Sequence, residues 1–193
     1  IKSLNSVGSG TTQNVIDGID WCVNNASIFN ITVISMSLGG SILYTGHCDD
    51  SDSLTAAAID AAIAKNISVI AATGNADSTT GIASPACIKN ITSAGGVDKS
   101  DGMDFNRNNL TDLLAPGVNI VSLNLGGSFQ TFSGTSFSTP MVTGAFALIH
   151  QYIKLTDNRN ATPSEIENVL NDTGKRITDT SGSGLTFSRI NIL

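Results

Sequence analysis

Short apolar runs alternate along this chain with longer stretches whose apolar residues recur at helical spacing. From Asn14 to Val23, residues Val15, Ile16, Ile19, Trp21 and Cys22 follow the helical period, so a helix is predicted there. Thr32-Val33-Ile34-Ser35-Met36 is a β-branched run that reads as a strand and ends at Ser37-Leu38-Gly39-Gly40. A polar loop follows from Ser41 to Asp52, and then an alanine-rich helix from Leu54 to Ala64. Ser68 to Ala72 is a second short apolar strand, closed by Thr73-Gly74-Asn75. Past a turn-rich stretch reaching Cys87, two more strands are predicted at Ile91 to Val97 and Thr111 to Ala115, then a long helix of small and apolar residues at Phe137 to Tyr152. The last helix has the clearest start. Thr162 is its N-cap, Pro163 takes the first helical position, and Glu165 completes a capping box. Strand–helix alternation with nearly continuous apolar strands predicts an α/β fold, a mostly parallel sheet with helices on both faces. Nothing repeats internally, and no domain boundary is visible.

Composition narrows the classes. The chain has 193 residues, enough for one sizeable domain. Apolar residues make up 40 %, yet no run approaches the ~20 apolar residues of a membrane span. Charged residues are sparse at 13 %, with a net charge of −6, which speaks against nucleic-acid binding. Low charge with abundant Ser, Thr, Asn and Gly is a common look for secreted hydrolases. No signal peptide is visible, and Ile1 opens directly into strand-like sequence, so the chain is expected to begin within a longer protein. Three cysteines occur. Cys48 and Cys87 sit in polar loops and Cys22 within the first helical pattern. An odd count suggests one bridge and one buried thiol, with three pairings open; three free thiols in a reducing compartment are the other reading. Asn-x-Ser/Thr sequons at Asn25, Asn30, Asn66, Asn90, Asn109, Asn160 and Asn171 are glycan acceptors in form only.

In parallel sheets, ligands bind at the carboxyl ends of strands. Two strands here end in glycine turns with exposed polar groups, Ser37-Leu38-Gly39-Gly40 and Thr73-Gly74-Asn75. Taken singly, these glycines need only close the strands. A third feature adds weight. Gly134 allows a tight turn into the long helix, which puts Ser136 at its N-terminus. Free N–H groups and the helix dipole favour developing negative charge there. An ordinary serine N-cap is the plainer alternative.

Gly134-Thr135-Ser136-Phe137-Ser138-Thr139-Pro140 resembles the nucleophile signature of the subtilisin-like serine proteases. Ser35 to Gly40 resembles that family's substrate-binding strand, Ala71 to Asn75 its oxyanion-hole segment, and Leu113 to Gly117 a further landmark. All four occur in the family's order, from Ile1 to about Gly174. The resemblance implies the subtilisin-like three-layer fold, with residues 1–193 as the C-terminal part of one catalytic domain. It implies Ser136 as the nucleophile attacking a peptide carbonyl. Asn75, with the Ser136 N–H, would bind the oxyanion. Ser37, Leu38 and Gly39 would pair with the backbone of a polypeptide substrate. Leu38, Ala72, Thr73, Gly74 and the stretch around Ala83 would line the pocket for the side chain before the scissile bond. Secreted relatives with similar loops join the two cysteines that correspond to Cys48 and Cys87. No cofactor is needed for the chemistry. Asp112 falls where family members often hold a calcium or a weaker cation; a solvated or capping aspartate is the plainer reading.

The serine lacks its helpers. A base must take its proton, and a carboxylate must orient that base. The family supplies these from upstream motifs, an aspartate after the first core strand and a His-Gly-Thr, and neither motif occurs here. His150 lies 14 residues beyond Ser136 on the same predicted helix, about 21 Å away. His47 precedes Cys48 without the expected Gly-Thr, which suits a loop role. In this family the aspartate-bearing strand lies between the one resembling Ile1 to Leu4 and the one resembling Thr32 to Met36. Leaving out a parallel strand from a sheet's middle leaves backbone groups unpaired. The expectation is therefore a secreted serine endopeptidase completed by an N-terminal segment of the same precursor. The alternative is a catalytically inactive relative used for binding or adhesion. An unrelated α/β hydrolase is disfavoured, because no Gly-x-Ser-x-Gly elbow appears.

Overall fold

The computed structural model describes residues 1–192. The first helix, α1, spans Thr12–Phe29. It is longer than the apolar period suggests because its ends are set by polar residues. Thr11 and Asn14 form a capping box at the start, and Asn30 adopts a left-handed conformation (φ 52°) at the end. Strand β1 follows at Val33–Met36, then a two-residue strand β2 at Leu43–Tyr44, helix α2 at Ser53–Ile63 and strand β3 at Ser68–Ala72. Strand β4 is Ile82–Ala83, β5 is Thr92–Val97 and β6 is Leu113–Pro116. A hairpin of β7 (Ile120–Leu123) and β8 (Phe129–Phe132) leads into α3, Thr135–Asp157. Helix α4 (Pro163–Thr173) starts on the predicted capping box of Thr162 and Glu165. The described chain closes with β9 (Lys175–Thr178) and β10 (Thr186–Arg189).

The main sheet has six strands in the order β1-β3-β5-β6-β10-β9. All neighbours are parallel except β10 and β9. Strand β3 shows why helices cover both faces. Its side chains alternate, so Val69 and Ala71 pack with Ile19 and Val23 of α1 and Ile59 and Ala62 of α2. Ile70 points the other way, into a cluster with Val142 and Phe146 of α3 and Ile166 and Leu170 of α4. Every residue of β3 and β5 is buried, as inner strands of a parallel sheet require. The sheet is mostly parallel with helices on both faces, the layering that the resemblance implies.

Two expectations meet corrections. Ile1 to Leu4 form no strand. Among the described residues no strand lies beside them to complete a ladder, and they rest instead against α1. A Cβ at Gly18 would lie 2.9 Å from the Ser3 Oγ. In consequence β1 is an edge strand, with β3 on one side only. Cys22, expected as a buried thiol, is only half-buried; burial still pushes its thiol up, against a lowering by the N-terminal charge.

Candidate active site

Strands β1 and β3 end side by side, and the turn into α3 meets both. Residue pairing along the two strands runs from Val33 with Ser68 to Met36 with Ala71, so Ser37 to Gly39 and Ala72 to Asn75 leave the sheet at the same end. They are joined through β4. The Ala83 N–H donates to the Thr73 carbonyl at 3.0 Å, and the Gly40 N–H donates to the Ser84 carbonyl at 2.9 Å. A Cβ at Gly39 would touch Ala83, and one at Gly74 would lie 3.5 Å from the same residue. Ala72 and Thr73 are buried, Leu38 and Gly74 half-buried, and Ser37, Gly39 and Asn75 exposed. Thus the residues assigned to substrate binding line one continuous surface around Ala83.

Ser136 is the second residue of α3 and is half-buried. Its N–H belongs to the first helical turn, which a helix cannot satisfy internally, and no acceptor takes it among the described residues. Pro140 shapes the same turn. A residue at 140 would ordinarily donate its N–H to the Ser136 carbonyl, and proline has none. The Ser37 hydroxyl donates to that carbonyl instead, at 2.8 Å. In return the Ser136 hydroxyl donates to the Ser37 carbonyl at 3.3 Å. The turn into α3 and the segment after β1 are therefore tied reciprocally.

Asn75 is oriented by Thr135. The Thr135 N–H donates to Asn75 Oδ1 at 2.9 Å, and the Thr135 hydroxyl lies 2.9 Å from the same oxygen. A backbone N–H can only donate, so the amide oxygen must face Thr135 and the NH2 must face away. The Asn75 Nδ2 is left as a free, exposed donor beside the Ser136 turn. A Cβ at Gly134 would stand 3.2 Å from that nitrogen, so only glycine leaves it uncrowded.

The loop after β3 has a further support that sequence reasoning missed. Asn106, 1 % exposed, makes four bonds to it. Its N–H donates to the Gly74 carbonyl and its Nδ2 to the Thr73 carbonyl, both at 3.1 Å. Its Oδ1 accepts from the N–H groups of Ala76 and Ser78, at 2.8 and 3.1 Å. Gly74 itself sits at φ +105°, and a Cβ there would collide with Asn106 Nδ2 at 2.4 Å. Next to it, Arg107 is buried and donates through Nε to Asp179 at 2.6 Å and through a terminal nitrogen to Asp77 at 3.2 Å. The loop after β3 is thereby fastened to the segment between β9 and β10. No local pattern in the sequence signals this clamp, because its partners lie 30 residues apart or, for Arg107 and Asp179, 72.

Among the described residues, neither histidine makes a hydrogen bond to Ser136. His47 Nδ1 lies 3.3 Å from the Cys87 carbonyl, one residue before the Cys48–Cys87 disulfide. His150 is far along α3, and burial, followed by Lys154, holds its imidazole below the usual range. Asp112 is engaged elsewhere. Its Oδ2 accepts the Ser93 N–H at 2.8 Å, the Ser93 hydroxyl lies at the same distance, and its own N–H donates back to Ser93. Burial pushes the Asp112 carboxyl up, and burial plus Asp112 pushes Glu167 up to about 7. Calcium takes roughly 6–8 oxygen ligands. Among the described residues no group of three or more acidic, histidine or cysteine side chains gathers for a metal. Asp112 thus forms a clasp between β5 and the start of β6.

Comparison with known proteins agrees with this geometry. The sequence model of the subtilase family, Peptidase S8, matches residues 1–188. An intracellular serine protease of Paenibacillus polymyxa is 37 % identical over 172 residues, covering 86 % of this chain and 49 % of the relative. Alkaline serine exoprotease A of Vibrio alginolyticus is 35 % identical over 188 residues, covering 95 % of this chain and 32 % of the relative. The chain thus spans half or less of the length of these relatives. A cold adapted subtilisin-like serine proteinase superposes with a TM-score of 0.77 at 33 % identity, over 99 % of this chain and 66 % of that one. The prenylagaramide maturation protease PagA superposes with a TM-score of 0.82 at 26 % identity, over 100 % and 69 %. Motifs, layered sheet and matched length converge, and the chain belongs to the subtilase family.

Proposed function

We propose that this chain is the nucleophile-bearing part of a serine endopeptidase. Ser136 attacks the peptide carbonyl and carries the acyl group. The Asn75 NH2 and the Ser136 N–H receive the negative charge that grows on the carbonyl oxygen. The polypeptide lies along Ser37 to Gly39 as an added strand, with the side chain before the scissile bond against Leu38, Ala72, Thr73 and Gly74. One observation carries this reading: Thr135 fixes Asn75 with its donor free beside the turn that presents Ser136. Preorganised donors of this kind act on the transition state without reorganising.

The base and its orienting carboxylate come from an upstream segment of the same precursor, held against the free edge of β1. That edge is open, and a groove of about 490 Å³ runs beside it between Ile1–Leu4, α1 and Val33–Leu38. Secretion suits the Cys48–Cys87 bridge, which persists in oxidising surroundings. No helix among the described residues is long and apolar enough to cross a membrane. The test is hydrolysis of an unfolded protein substrate by the complete protein, this chain with its upstream segment. Cleavage that Ser136→Ala abolishes supports the proposal. Folded, complete material that cleaves nothing but still binds peptide favours the alternative, a binding or adhesion protein on the same fold.

A further inference from the structure

We propose that the cavity beside the Ser37–Gly40 strand selects polypeptides by a lysine or arginine side chain, which Asp52 holds. This rests on the reading of Ser37 to Gly39 as the substrate strand. The cavity, about 650 Å³, lies between the Gly8–Thr12 segment and Ser37–Ile42, with Asp52, Thr55 and Ser84 in its wall. A peptide paired with Ser37 to Gly39 passes its mouth with residues that precede the scissile bond.

Three observations point to a cationic side chain. First, Asp52 is the single charged residue lining the cavity. Second, Asp52 stands at the N-cap of α2, where an aspartate ordinarily accepts an N–H of the first turn. It makes no such bond. Its Oδ2 turns to the Ser84 hydroxyl at 2.5 Å, and its Oδ1 has no hydrogen-bond partner among the described residues. Third, Thr55 is 2 % exposed, and its hydroxyl is one of the few buried side-chain oxygens without a partner. Buried hydroxyls are almost always satisfied, so an orphan in a cavity wall marks a place for a ligand's polar atom. Thr55 follows Asp52 by three residues, which sets the two side chains on one face of the helix start. An ammonium offers three donors and a guanidinium five. Either would give a charge-assisted bond to the open Asp52 oxygen and has a further donor to offer toward the Thr55 hydroxyl. Glutamate or aspartate at the same substrate position meets like charge and is rejected.

The test measures binding, so that it does not depend on cleavage. Peptide amides that end at the residue before the scissile bond carry Lys, Gln or Glu at each of the four preceding positions in turn. Their Kd values are measured with the complete protein. At one position Lys should bind on the order of tenfold to a hundredfold more tightly than Gln, with Glu weakest. Asp52→Asn should erase the difference between Lys and Gln, and Thr55→Val should reduce it while Gln binding holds. Equal binding of Lys and Gln at every position overturns the proposal, as does an Asp52→Asn protein that keeps the preference. Lys preference in a protein that cleaves nothing supports this inference and contradicts the proposed activity, so the two fail separately.

Discussion

At the scale of single residues, the proposed site rests on two asparagines. Asn75 contributes a donor, so Asn75→Ala should leave folding intact and lower kcat with little change in KM. For such a donor in subtilisin the penalty is roughly 10²–10³ in kcat. Steady-state kinetics on the complete protein check the size and the kcat–KM split. Asn106 acts differently. Removing its side chain leaves the buried carbonyl of Thr73 and the N–H groups of Ala76 and Ser78 without partners. Each such orphan costs about 1–3 kcal/mol, and relaxation of the loop recovers part of it, so Asn106→Ala should destabilise by about 2–4 kcal/mol. Urea unfolding checks this, and a loss under ~1 kcal/mol contradicts the clamp. The two residues also differ in legibility. Asn75 was visible because it closes an apolar run in a recognisable segment. Asn106 lies in Phe105-Asn106-Arg107-Asn108-Asn109, a polar stretch with no period, and its role exists only once the chain has folded back onto the loop after β3.

At the scale of elements, apolar pattern carried the inner structure and failed at the edges. Helices α2 and α4 and strands β1, β3 and β5 start and stop close to where the pattern changes. The hairpins were not legible. Strand β9 reads Lys-Arg-Ile-Thr and β10 Thr-Phe-Ser-Arg, and each is held by its partner strand and by tertiary bonds rather than by an apolar run. The β7–β8 hairpin exposes Val121, Leu123 and Phe129 while Ser122 is half-buried, so its apolar residues do not mark an inward face. The Arg107–Asp179 pair shows how such an edge is fastened, and it makes a prediction about pH. Burial pushes the Asp179 carboxyl up, but the bonds from Arg107 and Ser183 outweigh burial and bring it down to about 2. A carboxyl held below its unfolded value of 3.8 stabilises the fold above that pH. This contribution should fade as the pH falls from about 4 toward 2. Asp179→Asn should lower stability at pH 7 by about 3–5 kcal/mol, because it leaves the buried Arg107 poorly compensated. It should also flatten the acid limb of the stability curve. Thermal melts of both proteins from pH 2 to 8 read both effects, and parallel curves contradict the assignment.

At the scale of the whole molecule, the chain brings Ser136 and Asn75 to one end of the sheet and, among the described residues, leaves β1 with a neighbour on one side only. A strand such as β1 ordinarily has a neighbour on each side or a covering element. Its free edge and the adjoining groove are where the proposed upstream segment would dock, bringing the base to a hydroxyl that now donates to the Ser37 carbonyl. The loop setting of His47 and the late helical position of His150 were legible from the sequence, by their neighbours alone. That Ile1 to Leu4 pack on α1 instead of forming a strand was not legible, since strand-like residues need a partner ladder to become one. The most direct test is labelling by a fluorophosphonate probe, which reacts readily only with an activated serine. The complete protein should be labelled at Ser136, and this chain without the upstream segment should react at least ~10³-fold more slowly, as loss of the base implies. Complete, folded protein that leaves Ser136 unlabelled, or a separate chain that labels equally fast, would contradict the account.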